Sequence, residues 1–450
     1  MKYKTTSWLR KLPKILIISA SILGNNTVCA IDLLDAYNLS LTNDLQLLIA
    51  QAKNESENEA LPSALAKLLP NISASLSGGW IEQHQTSSAA SIPRQNYTSE
   101  NYSISVTQPI FRPKLVTEYQ QANIEVLGSK FELDDAFHQV APRISSLYFK
   151  TLFYQDTLNV TISHKNNLSI HLKAAKISFE NGRGTKTEIH ELQAQYDSLL
   201  AQEIKDLQKV TLALKELSLH VNQPIKRVSS IDPKKLNINE FDPGNLKDWI
   251  DKAIEKNPKL QSLNAKRDAA TLMKSSLFAD HLPSIDVVAS YQHNTSNNSF
   301  FIDRTVDSKS VMLKMEVPIF QGGYVNSRQR AATAYKKQVK REFELNLNKL
   351  IIETYKQFHT IKEGIKTTHA LEKALQSSIE VIYANKKSIQ AGFRSTLDLL
   401  TAEEKYHQTS LELKNSQYLT LLAWINLSSL DDKSDEDKIR KINTLLYSKQ

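Results

Sequence analysis

Glycine is scarce in this chain of 450 residues, with 11 copies where ordinary usage near 7% would place roughly 30. So few turn-formers point to a protein that is mostly helix. Cysteine is scarcer: Cys29 stands alone. That excludes an intrachain disulfide and a thiolate metal cluster, and leaves stability to packing and assembly. Beyond the N-terminal segment no run is long and apolar enough for a transmembrane helix, and mean hydropathy is −0.38. The 11 histidines are scattered without zinc-type pairing. Gly184-Thr-Lys-Thr187 has a glycine and a lysine, but no glycine directly precedes Lys186 and no strand pattern feeds it, so it is no phosphate loop. No nucleophile elbow occurs either. The chain is not read as an enzyme, and no cofactor is expected.

What is present begins with a targeting pattern. Lys2, Lys4, Arg10, Lys11 and Lys14 precede an apolar run over 15–23, and Val28-Cys29-Ala30 follows. This order predicts a secretory signal over 1–30, cut after Ala30. Its apolar run is too short to span a bilayer as a helix, and Asn26-Thr27-Val28 lacks the pattern that precedes a lipidated cysteine. The signal holds five cationic residues and no acid, so taking five from the formal +8 leaves about +3 on the exported chain. The basic balance therefore makes no case for nucleic acid.

Two related stretches organise the remainder. Phe179-Glu-Asn-Gly182-Arg-Gly-Thr185-Lys-Thr187-Glu188-Ile returns, altered, as Ile389-Gln-Ala-Gly392-Phe-Arg394-Ser395-Thr-Leu-Asp398-Leu. Gly182 and Gly392 lie 210 positions apart. In each copy a long helical pattern meets a glycine able to take the left-handed conformation that closes a helix. Thr185 or Ser395 then stands as an N-cap, with Glu188 or Asp398 three places on: a capping box that starts a new helix at once. A helix reversed over so few residues lies antiparallel to its predecessor. Both stretches, 179–188 and 389–398, thus read as helical hairpin tips hinged at Gly182 and Gly392.

Around each tip one plan repeats. In the first half, 31–235, a helical pattern runs to Leu68 with Pro62 as a candidate break. Alternation from Asn71 to Trp80 then predicts a strand of about ten residues. A polar loop over 81–100 and a second strand over 101–107 complete a hairpin, 71–108, which Pro109 ends. Helix resumes over 113–179, with Pro142 as a kink or break. Roughly seventy residues at about 1.5 Å each make a rod on the order of 100 Å. After the tip, Ile189, Leu192, Tyr196, Leu199, Glu203, Leu207, Val210, Leu214 and Leu217 form an imperfect heptad seam. A proline-punctuated connector over 222–244 separates the halves.

The second half, 236–430, has a helical pattern over 246–278 and a hairpin over 283–318 with a polar loop at 294–298. Pro318 repeats Pro109 at a spacing of 209, helix runs to Ala391, and a last helix runs from Thr396 to about residue 427. The tail over 431–450 is charged and expected to fray.

Four strands cannot close a barrel, and an open edge cannot sit in lipid, where each unpaired backbone group costs several kcal/mol. Membranous strands would have to be pooled. Two chains would give eight strands, whose interior side chains nearly fill, and three would give twelve with a lumen. Faces of Ser, Thr and Asn suit a wet lumen, and helices too polar for the bilayer would project into an aqueous space. Alternation and heptads by themselves also allow a soluble sandwich edge and a coiled-coil stalk.

The order of these pieces resembles the TolC family of outer-membrane efflux proteins of double-membraned bacteria, over about 31–430. The most specific residues are Val317-Pro-Ile-Phe320-Gln-Gly-Gly323-Tyr-Val-Asn-Ser327 and the paired tips, supported by Leu69-Pro-Asn-Ile and Leu282-Pro-Ser-Ile. The resemblance implies a mainly α fold with membrane β, in which internally duplicated, long antiparallel coiled-coil helices form an α-barrel. It also implies a homotrimer whose pooled strands make a twelve-stranded outer-membrane barrel in lipid. Pro109, Pro318, Gly322 and Gly323 would mark the β-to-helix junctions. Such a duct exports drugs or secreted proteins, docked through a periplasmic adaptor to an inner-membrane pump of RND, ABC or MFS type. In the family the tips close the periplasmic mouth. By position, Arg394 and Thr187 are implied partners in one polar link, Asp398 is the implied member of a constriction ring, and Glu188 lies beside them. Thr401, where a second acid is frequent, and Ile389, where an aromatic is usual, predict a weaker or differently wired lock. A trimeric coiled-coil adhesin would carry its strands at the C-terminus, and a periplasmic adaptor would have a small β-domain and an anchored N-terminus. Here the strands sit in the middle of each half.

Overall fold

The computed structural model describes residues 30–86, 91–298, 301–391, 393–430 and 435–447. The segment expected to be a signal, apart from Ala30, lies outside them. Helix begins at α1 (Leu33–Asn43), capped by the Asp32 carboxylate. The helical pattern expected to Leu68, with Pro62 as its candidate break, is three helices: α2 (Leu45–Asn58) starts at Asp44, whose own carboxylate caps it, and α3 (Ala60–Ala66) follows. Asp44 makes the first break, because its extended backbone (ψ 114°) cannot continue a helix, and the second, at Glu59, lies three residues before Pro62, whose ring clashes with the carbonyl four residues back.

Strands β1 (Asn71–Thr86) and β2 (Ser91–Phe111) are longer than alternation suggested. The polar stretches 81–86 and 91–100 are paired strand and not loop, for Trp80 faces Thr98 and Gln83 faces Gln95. Nor does Pro109 end β2; it sits at a register shift where Asp286 and Ile285 face Pro109 and Phe111. A bulge is where a strand tolerates a residue without an N–H. Residues 113–180 divide into α4 (Pro113–His138) and α5 (Val140–Glu180). The break at Gln139 follows from Pro142, whose ring clashes with the carbonyl four residues earlier and which donates no bond to it. After the first tip comes α6 (Lys186–Val221).

In the second half, α7 (Leu246–Lys256) and α8 (Pro258–Phe278) are separated by Asn257, which caps α8 with Pro258 at its first position. Strands β3 (Ser284–Asn298) and β4 (Phe301–Glu316) again run through the stretch expected to be loop. Then α9 (Tyr324–Gln390) runs 67 residues without a break, and α10 (Thr396–Ser428) returns. The described part of the tail, 435–447, does not fray as expected: α11 (Asp435–Asn443) buries Ile439 and Ile442, and Leu446 bridges to Ile231. Its apolar residues fill a core shared with Leu33, Tyr148, Leu217 and Leu421, and that burial outweighs its charge.

The four strands form one antiparallel sheet in the order β1-β2-β3-β4, so β2 and β3 join the two repeats. One face carries Ile72, Leu76, Ile104, Val287, Val311 and Leu313. The other carries a serine ladder with side-chain bonds Ser73–Ser105, Ser75–Ser103 and Ser290–Ser310 at 2.7–2.8 Å. Nothing among the described residues covers the apolar face: Ile72, Leu76, Val311 and Leu313 are 71%, 71%, 77% and 70% exposed. That excludes a sandwich, in which the inner face is buried. The long helices pack side by side in the order α6, α5, α10, α9. Between α5 and α6 the seam departs from the expected heptad. Asp206 is buried while Leu207 is 55% exposed, because Thr161 donates to Asp206 at 3.0 Å and makes one polar layer.

Candidate functional site

Both tips close by the same backbone device. In the first, Gly182 takes φ +72° and Arg183 N–H reaches back to the Ser178 carbonyl at 2.8 Å. In the second, Phe393 N–H reaches Ser388 at 2.9 Å; Gly392 itself lies outside the described residues. A bond spanning five residues, which in the first tip encloses the left-handed Gly182, satisfies carbonyls that a helix end leaves free.

The helices that leave the tips start differently. Ser395 accepts from the Asp398 N–H, and the Asp398 carboxylate accepts from the Ser395 N–H at 3.0 Å and from its hydroxyl. The Ser395 N–H and hydroxyl hold the Asp398 carboxyl below the usual carboxylate range. In the first tip only half of this box forms. Thr185 accepts from the Glu188 N–H at 3.2 Å, and the Glu188 carboxylate makes no reciprocal cap. Thr187, Arg394 and Asp398 are exposed and Glu188 is half-buried, so all four are available to neighbours. Within one chain Arg394 does not meet Thr187: its Nη1 donates to Asn385 Oδ1 at 2.9 Å. Asn385, buried near the end of α9, also donates to the Asp398 carbonyl at 3.2 Å. Sequence spacing did not single out Asn385, since a lone Asn in an amphipathic helix has no signature.

At the other end of the rods the strands become helices. Gly322 and Gly323 both have positive φ, 59° and 81°, and turn β4 into α9 after the irregular segment that holds Pro318. The first repeat makes the same turn without glycine, through Arg112 and Pro113. The Arg112 guanidinium grips buried Asp286 through two nitrogens, and Lys114 reaches Asp280 at 2.7 Å. The junction is therefore stiffened by paired charge between the repeats.

Along the seam of α5 and α10, polar layers alternate with Leu168, Leu172 and Leu400. Asp156 takes Lys414 at 2.7 Å and the Tyr418 hydroxyl. His164 and His407 rings lie 4.9 Å apart, and His171 faces Glu403 at 3.6 Å, beyond hydrogen-bond reach. Among the described residues no cluster of His, Cys, Asp or Glu could hold a metal ion, and no helix is long and apolar enough to cross a membrane.

The model for outer membrane efflux proteins matches residues 36–223 and 249–431, one segment in each half. The chain belongs to the outer membrane efflux protein family. Membership makes it an outer-membrane duct whose helices stand in the periplasm, and not an enzyme. Among its relatives is the alkaline protease secretion protein AprF of Pseudomonas aeruginosa. The two are 26% identical over 424 residues, covering 93% of this chain and 88% of the relative. The proteases secretion protein PrtF of Dickeya chrysanthemi is 24% identical, with 93% and 92% covered. The fold matches the crystal structure of the Campylobacter jejuni CmeC outer membrane channel with a TM-score of 0.76 at 14% identity, covering 92% of this chain and 90% of that one.

Proposed function

We propose that three copies of this chain make one continuous exit duct. The observation that carries the reading is a wall open on both sides at both levels. In the sheet, β1 and β4 have no outer partner among the described residues. In the helical layer the outer members α6 and α9 leave Ile204, Leu207, Leu219, Ile352 and Tyr355 exposed. A membrane sheet cannot keep free edges, and apolar stripes on helices seek a partner. Joining β4 to a neighbour's β1, and α9 to its α6, satisfies both needs with one rotation. Three repeats of four strands leave a lumen lined by the serine face, with the apolar face in lipid.

At the periplasmic mouth the exposed Arg394 of one chain would link to Thr187 of the next, with Glu188 beside them. Three Asp398 carboxylates would ring the axis, attracting cations as charged rings do in other pores. Gly182 and Gly392 would be the hinges about which the tips move. A periplasmic adaptor and an inner-membrane pump would drive the opening.

The cargo reading follows AprF and PrtF, both named for protease secretion: the duct passes an exported polypeptide in a type I system. Efflux of small toxic compounds, which the family's own name describes, is the second reading. Deleting the locus distinguishes them. Loss of a secreted protein from the medium supports the first, sensitivity to dyes and detergents supports the second, and neither defect would overturn both.

A further inference from the structure

We propose that Asn385 is the positioning residue of the mouth, the group that aims Arg394 and sets Asp398. The inference rests on reading those two residues as the link and the ring. Asn385 lies in the second-last turn of α9 and is 4% exposed, so its amide must find partners inside the protein. Both partners belong to the other side of the tip. Its Oδ1 accepts from Arg394 Nη1 at 2.9 Å, and its Nδ2 donates to the Asp398 carbonyl at 3.2 Å. Each end of the amide has one chemically suitable partner, so its orientation is fixed.

The consequence is geometric. A guanidinium has five N–H donors in a planar fork. Asn385 takes one of those donors, and the exposed guanidinium keeps the others for a neighbouring tip. The second bond ties the start of α10 to the end of α9, and with it the carboxylate that the Ser395 box already orients. One buried side chain thereby couples link and ring across residues 391–395. A chain lacking it would keep the helices and lose the aim.

The full-length protein in planar bilayers tests this. Asn385→Leu, of similar size, removes both bonds. Its ratio of open to closed conductance should rise about tenfold, the scale of one lost hydrogen bond to a charged group. Arg394→Ser should give the same rise, and the double variant no more than either alone. Asn385→Asp keeps an acceptor for Arg394 but sets a second oxygen against the Asp398 carbonyl. It should stay closed and shift the half-blocking concentration of hexamminecobalt several-fold. If Asn385→Leu stays as closed as the parent while Arg394→Ser opens, the positioning role is overturned and the link stands. If Arg394→Ser leaves conductance unchanged, the link itself falls. Should the leucine variant not assemble, an aspartate variant with unaltered block overturns the proposal.

Discussion

Arg143 and Asp44, 99 positions apart, meet through hydrogen bonds of 3.0 and 2.7 Å at a fully buried carboxylate. His220 approaches the same oxygen at 3.2 Å, and the other oxygen caps α2 through Gln46 N–H. One acid thus joins the break between α1 and α2 to both α5 and α6. Removing the cation strands a buried charge, which costs about 3–5 kcal/mol. Arg143→Met should lower the melting temperature followed by circular dichroism, and Asp44→Asn, which retains a cap, should lower it less. Burial pushes the Asp44 carboxyl up, but the Arg143 bond, the Gln46 N–H, the guanidinium charge and His220 overcome it and hold it below the usual range. A folded value below the unfolded one gives stability that is present above the unfolded value and drains as pH falls through the folded one. Acid melting of the parent should therefore begin below about pH 4, and Asp44→Asn should lack that component.

At Gly364 α9 comes close against α10. A Cβ built there would lie 2.1 Å from Thr420 Oγ1 and 3.2 Å from its Cβ, and Thr420 is fully buried. Alanine in a helix interior ordinarily gains about 1 kcal/mol over glycine. Here overpacking should reverse the sign, with a cost of about 1–3 kcal/mol for Gly364→Ala. Gly364→Ala with Thr420→Ala should recover most of the loss, and thermal melting of the three proteins checks it.

The seam of α5 and α10 should loosen in acid. Burial pushes the half-buried His164 and His407 below the ordinary histidine value, His164 lowers His407 further, and Glu403 pulls both back up, with Glu404 also raising His164. Both rings are therefore favoured neutral in the fold. Their contribution is present above the unfolded value, near 6.5, and is lost as pH falls through the lower folded values. The melting temperature should fall between about pH 7 and pH 5, and less so in His164→Gln with His407→Gln. An equal fall in both proteins would assign the pH response elsewhere.

The constriction ring has its own readout. Asp398→Ala removes one carboxylate per chain, so block by multivalent cations should weaken many-fold in bilayers. Equal block in both proteins would confine Asp398 to capping α10, a role its bonds to Ser395 already give it.

Much of this architecture was legible because it rests on local rules. Thr185 and Ser395 announce helix starts, Pro142 announces the break at Gln139, and Ile72, Ala74 and Leu76 announce a strand face. Where the rules misled, longer-range pairing won. Residues 91–100 look like loop by composition yet are strand because β1 supplies ladder partners along the stretch and β3 joins on the other side at Ser99 and Glu100. The tail over 431–450 looks frayed by charge, but Ile439 and Leu446 complete a core built from distant segments. The mouth was the least legible part. Arg394 and Asp398 are found by position, whereas Asn385 acts only through contacts that the folded tip creates.

The pooled wall is tested most directly by the mass of the purified protein in mild detergent, taken by light scattering with the detergent subtracted. Three chains per particle, shifting to one after boiling, is the predicted result. A stable single chain would leave β1 and β4 unpaired in lipid and contradict the account.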